Sequence, residues 1–178
     1  MTREIWSAGH SNRSAEELVE LLCGAGIRCV ADVRRFPVSR RFPQHARARL
    51  EPALAAAGVA YEFLGERLGG RRELDPAADP ARNAAWREPS LHAFADALDT
   101  PDVAAGLAEL EALGRARRTA FLCAERDWRS CHRQLVADAL VVRGWQVIHL
   151  VRPGERELHH LHPAARVEGK HLSYPSLL

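Results

Sequence analysis

The feature that most constrains the fold of this chain is a regular alternation of short apolar segments with segments of helical periodicity. The apolar segments predict strands at residues 5–9, 29–33, 59–64, 119–123 and 145–151. Such alternation is typical of βα units, in which a mainly parallel sheet is covered by helices. We therefore predict a single-domain α/β protein: a three-layer sandwich with a mainly parallel sheet of about five strands, formed by the whole of residues 1–178.

Two stretches depart from this alternation. Residues 65–89 are rich in Gly, Pro, Arg and Asp, which predicts a long irregular excursion, and residues 152–178 predict an irregular, histidine-rich tail. A long loop inside a compact domain is often functional or mobile. At the last predicted helix, Ser130 has the properties of an N-terminal cap, and we expect residues 131–133 to form the first helical turn.

The composition excludes several classes of protein. A hydrophobic content of 47% with 27% charged residues argues against disorder. No apolar stretch approaches the ~20 residues of a membrane span, and residues 1–6 lack a secretory-signal pattern, so we expect a cytoplasmic protein with no membrane segment. A reducing compartment disfavours disulfides among the four cysteines, whose spacing also lacks the paired C-x-x-C pattern of a zinc ribbon.

Residues with reactive or charged side chains follow three of the predicted strands. Ligands of open α/β sheets bind beyond the carboxyl ends of the strands, where this chain places His10, Arg34 and Cys123. We expect these positions to converge at one cleft. The candidate catalytic residues are His10, Cys123, Glu125, Cys131 and His132, and the candidate substrate-binding residues are Asp32, Arg34, Ser39, Arg40 and Arg133.

The segment from residue 122 to residue 133 is the richest in such residues. Glu125 is a candidate acid or base, and a helix start beside His132 and Arg133 favours a thiolate at Cys131. We expect Cys131 to be the more reactive thiol and Cys123 the more buried one. The alternative is structural: two small buried thiols, a glutamate paired with an arginine, and a histidine at the surface or at a helix cap.

Two further interpretations of this segment stay open. The spacing from Cys123 to Ser130 fits the C-x5-R-S loop of cysteine phosphatases, but the loop has no glycine and its acidic residues would repel a phosphate dianion. The second interpretation is a divalent metal bound by the cysteines with His132 and His10, although the spacing matches no recognised zinc signature.

Arginines dominate the end of the second strand. Lys170 is the only lysine, and the stretch from Arg34 to Arg49 has six arginines and no acid. A planar guanidinium binds phosphate or carboxylate through two parallel hydrogen bonds, so this loop is a candidate anion cradle. The alternative is a solvated basic loop that neighbouring acids partly neutralise. The net charge of only +2 decides nothing between them.

The motifs resemble those of the bacterial and archaeal family called domain of unknown function 488. The resemblance is carried by Gly9-His10-Ser11, Asp32-Val33-Arg34 with Pro37 and Ser39-Arg40, Leu68-Gly69-Gly70, Cys123-Ala124-Glu125, Cys131-His132-Arg133 and the tail from His159 to Pro175. It implies that all of the candidate residues except Ser39 act as a unit, and it gives Arg129 no support because the family leaves that position open. At His162 this chain departs from the threonine typical of the family.

Three functions are compatible with these patterns. The first is an enzyme that acts on an anionic substrate, either nucleotide-like or a nucleic acid, in which arginines hold the anion and Glu125 and His10 transfer protons. The second is a non-catalytic module that binds nucleic acid or a phosphorylated ligand with the same arginines. The third is a metal-dependent protein. The sequence leaves the reaction, the metal and the oligomeric state open.

Overall fold

The computed structural model describes residues 3–176, which form helices on both faces of a mainly parallel sheet. The sheet has six strands in the order β3-β2-β4-β1-β5-β6. Its strands are β1 (Arg3–Gly9), β2 (Cys29–Asp32), β3 (Ala60–Phe63), β4 (Thr119–Cys123), β5 (Trp145–Arg152) and β6 (Glu155–Leu158). Strands β1 to β5 all run parallel to one another and β6 is antiparallel to β5, which confirms the predicted α/β class with one strand more than expected.

Six helices connect and cover the strands. They are α1 (Ala15–Gly24), α2 (Arg47–Ala56), α3 (Gly65–Leu68), α4 (Pro89–Ala97), α5 (Pro101–Ala116) and α6 (Arg133–Val142), and two short 3-10 turns lie at Pro43–His45 and Trp128–Ser130. Ser14 caps α1 in a complete capping box with Glu17, as its sequence predicts. No helix among residues 3–176 is long and apolar enough to cross a membrane.

The core has two halves because successive residues of each strand point to opposite faces of the sheet. On one face, Ala120 and Leu122 of β4 belong to the cluster that contains leucines of α1 and α2. On the other face, Phe121 and Cys123 pack in the cluster that contains the buried residues of α4, α5 and α6. Cys123 therefore ends its strand on the α6 face, next to the start of that helix.

Two local expectations are corrected. Helix α6 begins at Arg133, and Ser130 is not its cap. Ser130 instead ends a separate 3-10 turn, which Asp127 caps by accepting the backbone hydrogen of Arg129. Cys131 follows in extended backbone, and so lies outside the first helical turn. The tail, expected to be irregular, contains β6 and a hairpin of β7 (Arg166–Glu168) and β8 (His171–Ser173) around Gly169, whose φ is 64°.

Candidate functional site

A cleft of about 1030 Å³ opens at the carboxyl edge of the sheet. Eight of the ten candidate residues line it: His10, Arg34, Ser39, Arg40, Cys123, Glu125, Cys131 and His132. The other two, Asp32 and Arg133, are buried behind its wall. The loops that follow β1, β2 and β4 thus meet at one place, since parallel strands present their carboxyl ends to the same edge.

The loops after β1 and β4 are joined by backbone hydrogen bonds. The amides of His10 and Ser11 donate to the carbonyls of Cys123 and Ala124 at 2.9 and 2.8 Å. Gly9 makes this approach possible, since a Cβ there would lie 1.8 Å from the carbonyl oxygen of Glu125. Ser11 has a φ of 49°, a strained value for a residue with a side chain.

Arg34 is held by the protein rather than presented to a ligand. Its Nε and Nη2 donate to the two carboxylate oxygens of Asp32 at 2.9 and 2.6 Å, and its Nη1 donates to the carbonyl of His45 at 2.8 Å. The side chain of Asp32 is wholly buried and also accepts the Tyr61 hydroxyl at 2.6 Å. Asp32 and Arg34, expected to bind substrate, therefore form part of the wall that supports the cleft.

His10 is also committed to protein contacts. Its Nδ1 donates to the carbonyl of Ser11 at 2.9 Å, and its Nε2 accepts a hydrogen from Arg34 Nη1 at 3.2 Å. Burial is the main cause that lowers its pKa to about 4, with the Arg34 charge acting in the same direction. Its ring stacks on His45 at 4.3 Å between centroids. A neutral ring with both nitrogens occupied is poorly suited to the proton transfer that we expected of it.

The floor of the cleft is a trio of donor atoms from Cys123, Cys131 and His132. His132 Nδ1 lies 3.8 Å from the Cys123 sulfur and 3.7 Å from the Cys131 sulfur, and all three atoms lie within 4.8 Å of one another. His132 Nε2 lies 3.0 Å from the carbonyl oxygen of Val33, which fixes the hydrogen on Nε2. The lone pair of Nδ1 is therefore directed at both sulfurs. These are the atoms of the site best suited to hold a metal ion.

The two thiols differ in the direction in which their pKa values are shifted. The neighbouring Cys123 thiol lowers the pKa of Cys131 well below its usual range, and nearby His132 and Arg133 act in the same direction. The neighbouring Cys131 thiol, together with burial, raises the pKa of Cys123. Cys123 is 8% exposed and Cys131 is 3% exposed, so both thiols are buried and burial does not separate them as expected. Cys131 is tucked between the 3-10 turn and α6, where its sulfur accepts the Arg133 amide hydrogen at 3.5 Å.

Arg133 positions the loop between the two cysteines. It is 1% exposed, its Nη2 donates to the carbonyls of Glu125 and Arg126, and its Nη1 donates to the Ser7 hydroxyl at 3.3 Å. Its Nε has no partner among the described residues. The direct substrate contact expected of Arg133 is therefore replaced by a supporting role from beneath the loop.

Behind Arg133 runs a buried polar chain that sequence reasoning missed. Ser7 Oγ lies 2.5 Å from His149 Nδ1, His149 Nε2 lies 3.0 Å from His159 Nδ1, and His159 Nε2 lies 2.7 Å from an Asp138 carboxylate oxygen. The Tyr174 hydroxyl donates to the other Asp138 oxygen at 2.8 Å. The histidine-rich tail was the available signal, but its partners are distributed over the whole chain.

Exposed guanidiniums surround the mouth of the cleft. We call this set the arginine rim: Arg35, Arg40, Arg41, Arg71 and Arg126. None of them forms an ion pair with an acid among residues 3–176. Two acids line the same cleft, of which Glu88 caps α4 through its carboxylate and Glu125 is exposed with no side-chain hydrogen bond to a described residue.

The loop between β2 and α2 carries the apolar part of the rim. Phe36 is 58% exposed and lines the cleft with Val38 and Phe42. Ser39, a candidate ligand residue, accepts the Phe42 backbone hydrogen at 3.0 Å and so stabilises the turn that presents the arginines. Arg71, on the opposite side, has a φ of 56°, and it and Ser11 are the two non-glycine residues with positive φ in the described chain.

The comparisons with known proteins agree with this assembly of motifs. Residues 14–140 match the family model described as Domain of unknown function DUF488, which is more than two thirds of the chain. No curated protein and no solved structure matches the chain. The match contains Asp32, the arginine-rich loop and the segment from Cys123 to Arg133, whereas His10 and the tail lie outside it. The chain belongs to the family of the domain of unknown function 488.

Proposed function

We propose that this protein is an enzyme that acts on a nucleotide-like anion bound in the cleft. The observation that supports this proposal best is that the arginine rim and the Cys123, Cys131 and His132 trio line the same cleft. Exposed arginines without acidic partners attract phosphate, and buried thiols beside an imidazole provide reactive groups beneath it.

The shape of the cleft favours a small substrate over a nucleic acid. Its volume of about 1030 Å³ is that of a site for one small ligand. The chain as a whole carries a net charge of only +2, whereas a domain that tracks a nucleic-acid backbone is usually strongly basic. In the proposed complex the phosphate contacts Arg40 and Arg41, and the exposed ring of Phe36 stacks on the base.

Glu125 is the proposed group for proton transfer. It lies in the loop that immediately follows Cys123, it lines the cleft, and its carboxylate is exposed with no hydrogen bond to a described side chain. A carboxylate that the protein leaves uncommitted is available to a bound substrate, in contrast to His10. The proposal therefore assigns binding to the rim, proton transfer to Glu125 and the reactive atoms to the trio.

The experiment that tests this proposal measures binding and turnover separately. Calorimetric titration with adenosine monophosphate should give an affinity that falls at least about tenfold in the Arg40→Ala/Arg41→Ala variant, because two charged contacts are lost. The control is Arg28→Ala/Arg117→Ala, which removes the same charge at the opposite edge of the sheet, before β2 and β4. Equal losses in the two variants would contradict a localised anion site.

Turnover distinguishes an enzyme from a binding module. Nucleoside mono-, di- and triphosphates are incubated with the protein and the products are separated by chromatography. We expect product formation that Glu125→Gln abolishes while adenosine monophosphate still binds. Binding without product across the whole panel, with an affinity that falls steeply as salt rises, would instead support the non-catalytic module.

A further inference from the structure

We propose that Cys123, Cys131 and His132 bind one Zn²⁺ ion, with the fourth coordination position open to the cleft. The inference builds on the proposed function, since it assigns the chemistry at the floor of the same cleft. It rests on the distances between the three donor atoms and on the hydrogen bonds that orient them. Within residues 3–176, the two sulfurs are also the only hydrogen-bond partners of His132 Nδ1.

The spacing of the donor atoms fits a tetrahedral ion. Zinc bonds of about 2.3 Å to sulfur and about 2.0 Å to nitrogen place such donors roughly 3.5–3.8 Å apart. His132 Nδ1 lies 3.8 Å from the Cys123 sulfur and 3.7 Å from the Cys131 sulfur. Both nitrogen–sulfur distances therefore match one face of a zinc tetrahedron, and the two sulfurs, which lie within 4.8 Å of each other, complete that face after a small side-chain adjustment.

The surroundings orient the donors in the manner of a metal site. Histidine ligands usually donate their other ring hydrogen to a carbonyl or carboxylate, and His132 Nε2 does so to Val33 at 3.0 Å. The Cys131 sulfur accepts the Arg133 amide hydrogen at 3.5 Å, a contact that stabilises a thiolate ligand. A Cβ at position 70 would lie 3.0 Å from His132 Nδ1, so Gly70 leaves room beside the donor atoms.

The ligand set selects the ion and its role. Two thiolates and one imidazole favour Zn²⁺ over Mg²⁺ or Ca²⁺, which prefer oxygen donors. Two thiolates also neutralise the charge of the ion, which makes its burial favourable. No fourth histidine, cysteine or acidic donor of residues 3–176 joins the group, and all three residues line the cleft. Three protein ligands with an open position are typical of catalytic zinc, whose bound water ionises near neutral pH.

Two other buried histidines, His149 and His159, serve as an internal comparison. His149 and His159 are as buried as His132, but each of their ring nitrogens already has a partner in Ser7, Asp138 or the other histidine. Their hydrogen bonds leave no lone pair for an ion. The proposal therefore distinguishes the trio from a general abundance of histidine.

The first test measures metal content. The protein is purified in reductant without an affinity tag that binds metal, dialysed against Zn²⁺, passed through gel filtration and assayed by mass spectrometry of its elements. We expect about one zinc per chain. The zinc affinity should fall in Cys131→Ser and in His132→Ala by more than roughly 10–100-fold, the loss typical when only a hydrogen bond to a metal ligand is removed. The control is Cys23→Ser, which removes an exposed thiol of α1.

The second test needs no variant and so does not depend on how well a variant folds. Co²⁺ added to the zinc-free wild-type protein should give the intense thiolate-to-cobalt band and the strong visible bands of a tetrahedral site, and Zn²⁺ should abolish them. A wild-type protein that keeps no zinc and shows no such spectrum overturns the proposal. Loss of two free thiols without metal overturns it as well, because the cysteines would then form a redox pair.

Failure of this inference and failure of the proposed function are distinguishable. Arg40→Ala/Arg41→Ala should bind adenosine monophosphate weakly while it retains full zinc content. Zinc binding without nucleotide binding would refute the proposed substrate and leave the metal site intact. Nucleotide binding in a protein that takes up neither Zn²⁺ nor Co²⁺ would refute the metal site and leave the proposed substrate intact.

Discussion

Asp32 and Arg34 form a two-point ion pair that is buried from solvent, with 2.9 Å between Oδ1 and Nε and 2.6 Å between Oδ2 and Nη2. We expect Asp32→Asn to lower the free energy of unfolding by about 3–5 kcal/mol, because the guanidinium stays buried without its counter-charge. Urea unfolding monitored by circular dichroism measures this loss.

The matched control is an exposed pair of the same chemistry. Arg47 and Glu51 lie one helical turn apart on α2, 3.2 Å from Nε to Oε2, and both are about half exposed. Glu51→Gln should cost less than about 1 kcal/mol, since solvent screens such pairs. Similar losses in the two variants would show that the Asp32 carboxylate has no special part in holding the wall of the cleft.

A second prediction concerns the crossing of the loops after β1 and β4. Gly9→Ala places a methyl group 1.8 Å from the carbonyl oxygen of Glu125 and 2.9 Å from Arg133 Nη2, so the loop that carries Glu125 must move. We expect a loss of stability of at least about 2 kcal/mol, in the range of other overpacked sites. Thermal unfolding measures the stability, and nucleotide turnover reports the displaced loop.

Gly24→Ala is the control for this change. Gly24 is the last residue of α1 and a Cβ there would meet nothing within 4 Å. Alanine favours the helix over glycine by about 0.5–1 kcal/mol, so this variant should be as stable as the wild type or slightly more stable. If both alanine variants behaved alike, the close approach at Gly9 would not be the cause.

A third prediction is an acid sensitivity that depends on His149. Burial, together with His159, Arg133 and Arg129, lowers the pKa of His149 from 6.5 to about 2. Below about pH 6.5, His149 binds a proton in the unfolded chain but not in the folded protein. The free energy of unfolding therefore decreases as the pH falls. Between about pH 7 and about pH 5 the loss amounts to roughly 2 kcal/mol.

Urea unfolding at several pH values measures this dependence. His149→Gln should remove roughly 2 kcal/mol from the loss of stability between about pH 7 and about pH 5, whatever its effect at neutral pH. The control is His160→Gln, which replaces an exposed histidine that has no side-chain hydrogen bond to a described residue and should leave the slope of the wild type unchanged. An unaltered slope in His149→Gln would mean that other groups cause the acid sensitivity.

A fourth prediction separates a nucleotide from a plain anion. Phe36→Ala should weaken binding of adenosine monophosphate by about tenfold or more, because stacking of a base on an aromatic ring is worth ~1–3 kcal/mol. Binding of inorganic phosphate should not change. Val38→Ala, in the same exposed loop, is the control without an aromatic ring. Calorimetry measures the affinity of each variant for both ligands. A parallel loss of both ligands in Phe36→Ala would refute the stacking contact.

The sequence was sufficient to predict the convergence of the site, and the reason is topological. His10, Arg34 and Cys123 each follow a parallel strand, and strand ends are visible as apolar runs followed by polar residues. The sequence did not show which arginines are buried. Arg34 and Arg133 are buried because they donate to carbonyls of His45, Glu125 and Arg126, which only the folded chain brings near them. Arg40, in contrast, is exposed at the mouth of the cleft.

The helix start and the tail show two other limits. Ser130 and Asp127 are both good caps, and only the folded structure shows that Asp127 caps a separate turn before α6. The strands of the tail have three or four residues each, too few for a clear alternation of polar and apolar positions. The sequence did not reveal the buried polar chain, because Ser7, Asp138 and His149 are not joined by any short motif.

The central place of β1 in the sheet also has a consequence for how this chain is made. Strand β1 is synthesised before both of its neighbours, β4 and β5, which follow it in the chain by more than 100 residues. Both edges of this apolar strand therefore stay unpaired until those later segments have been made, and the pairing that completes the sheet joins residues far apart in sequence. Such contacts form slowly, and unpaired strand edges are prone to aggregation until they form. We therefore expect this protein to depend on chaperones during synthesis more than a protein whose strands pair with near neighbours in sequence.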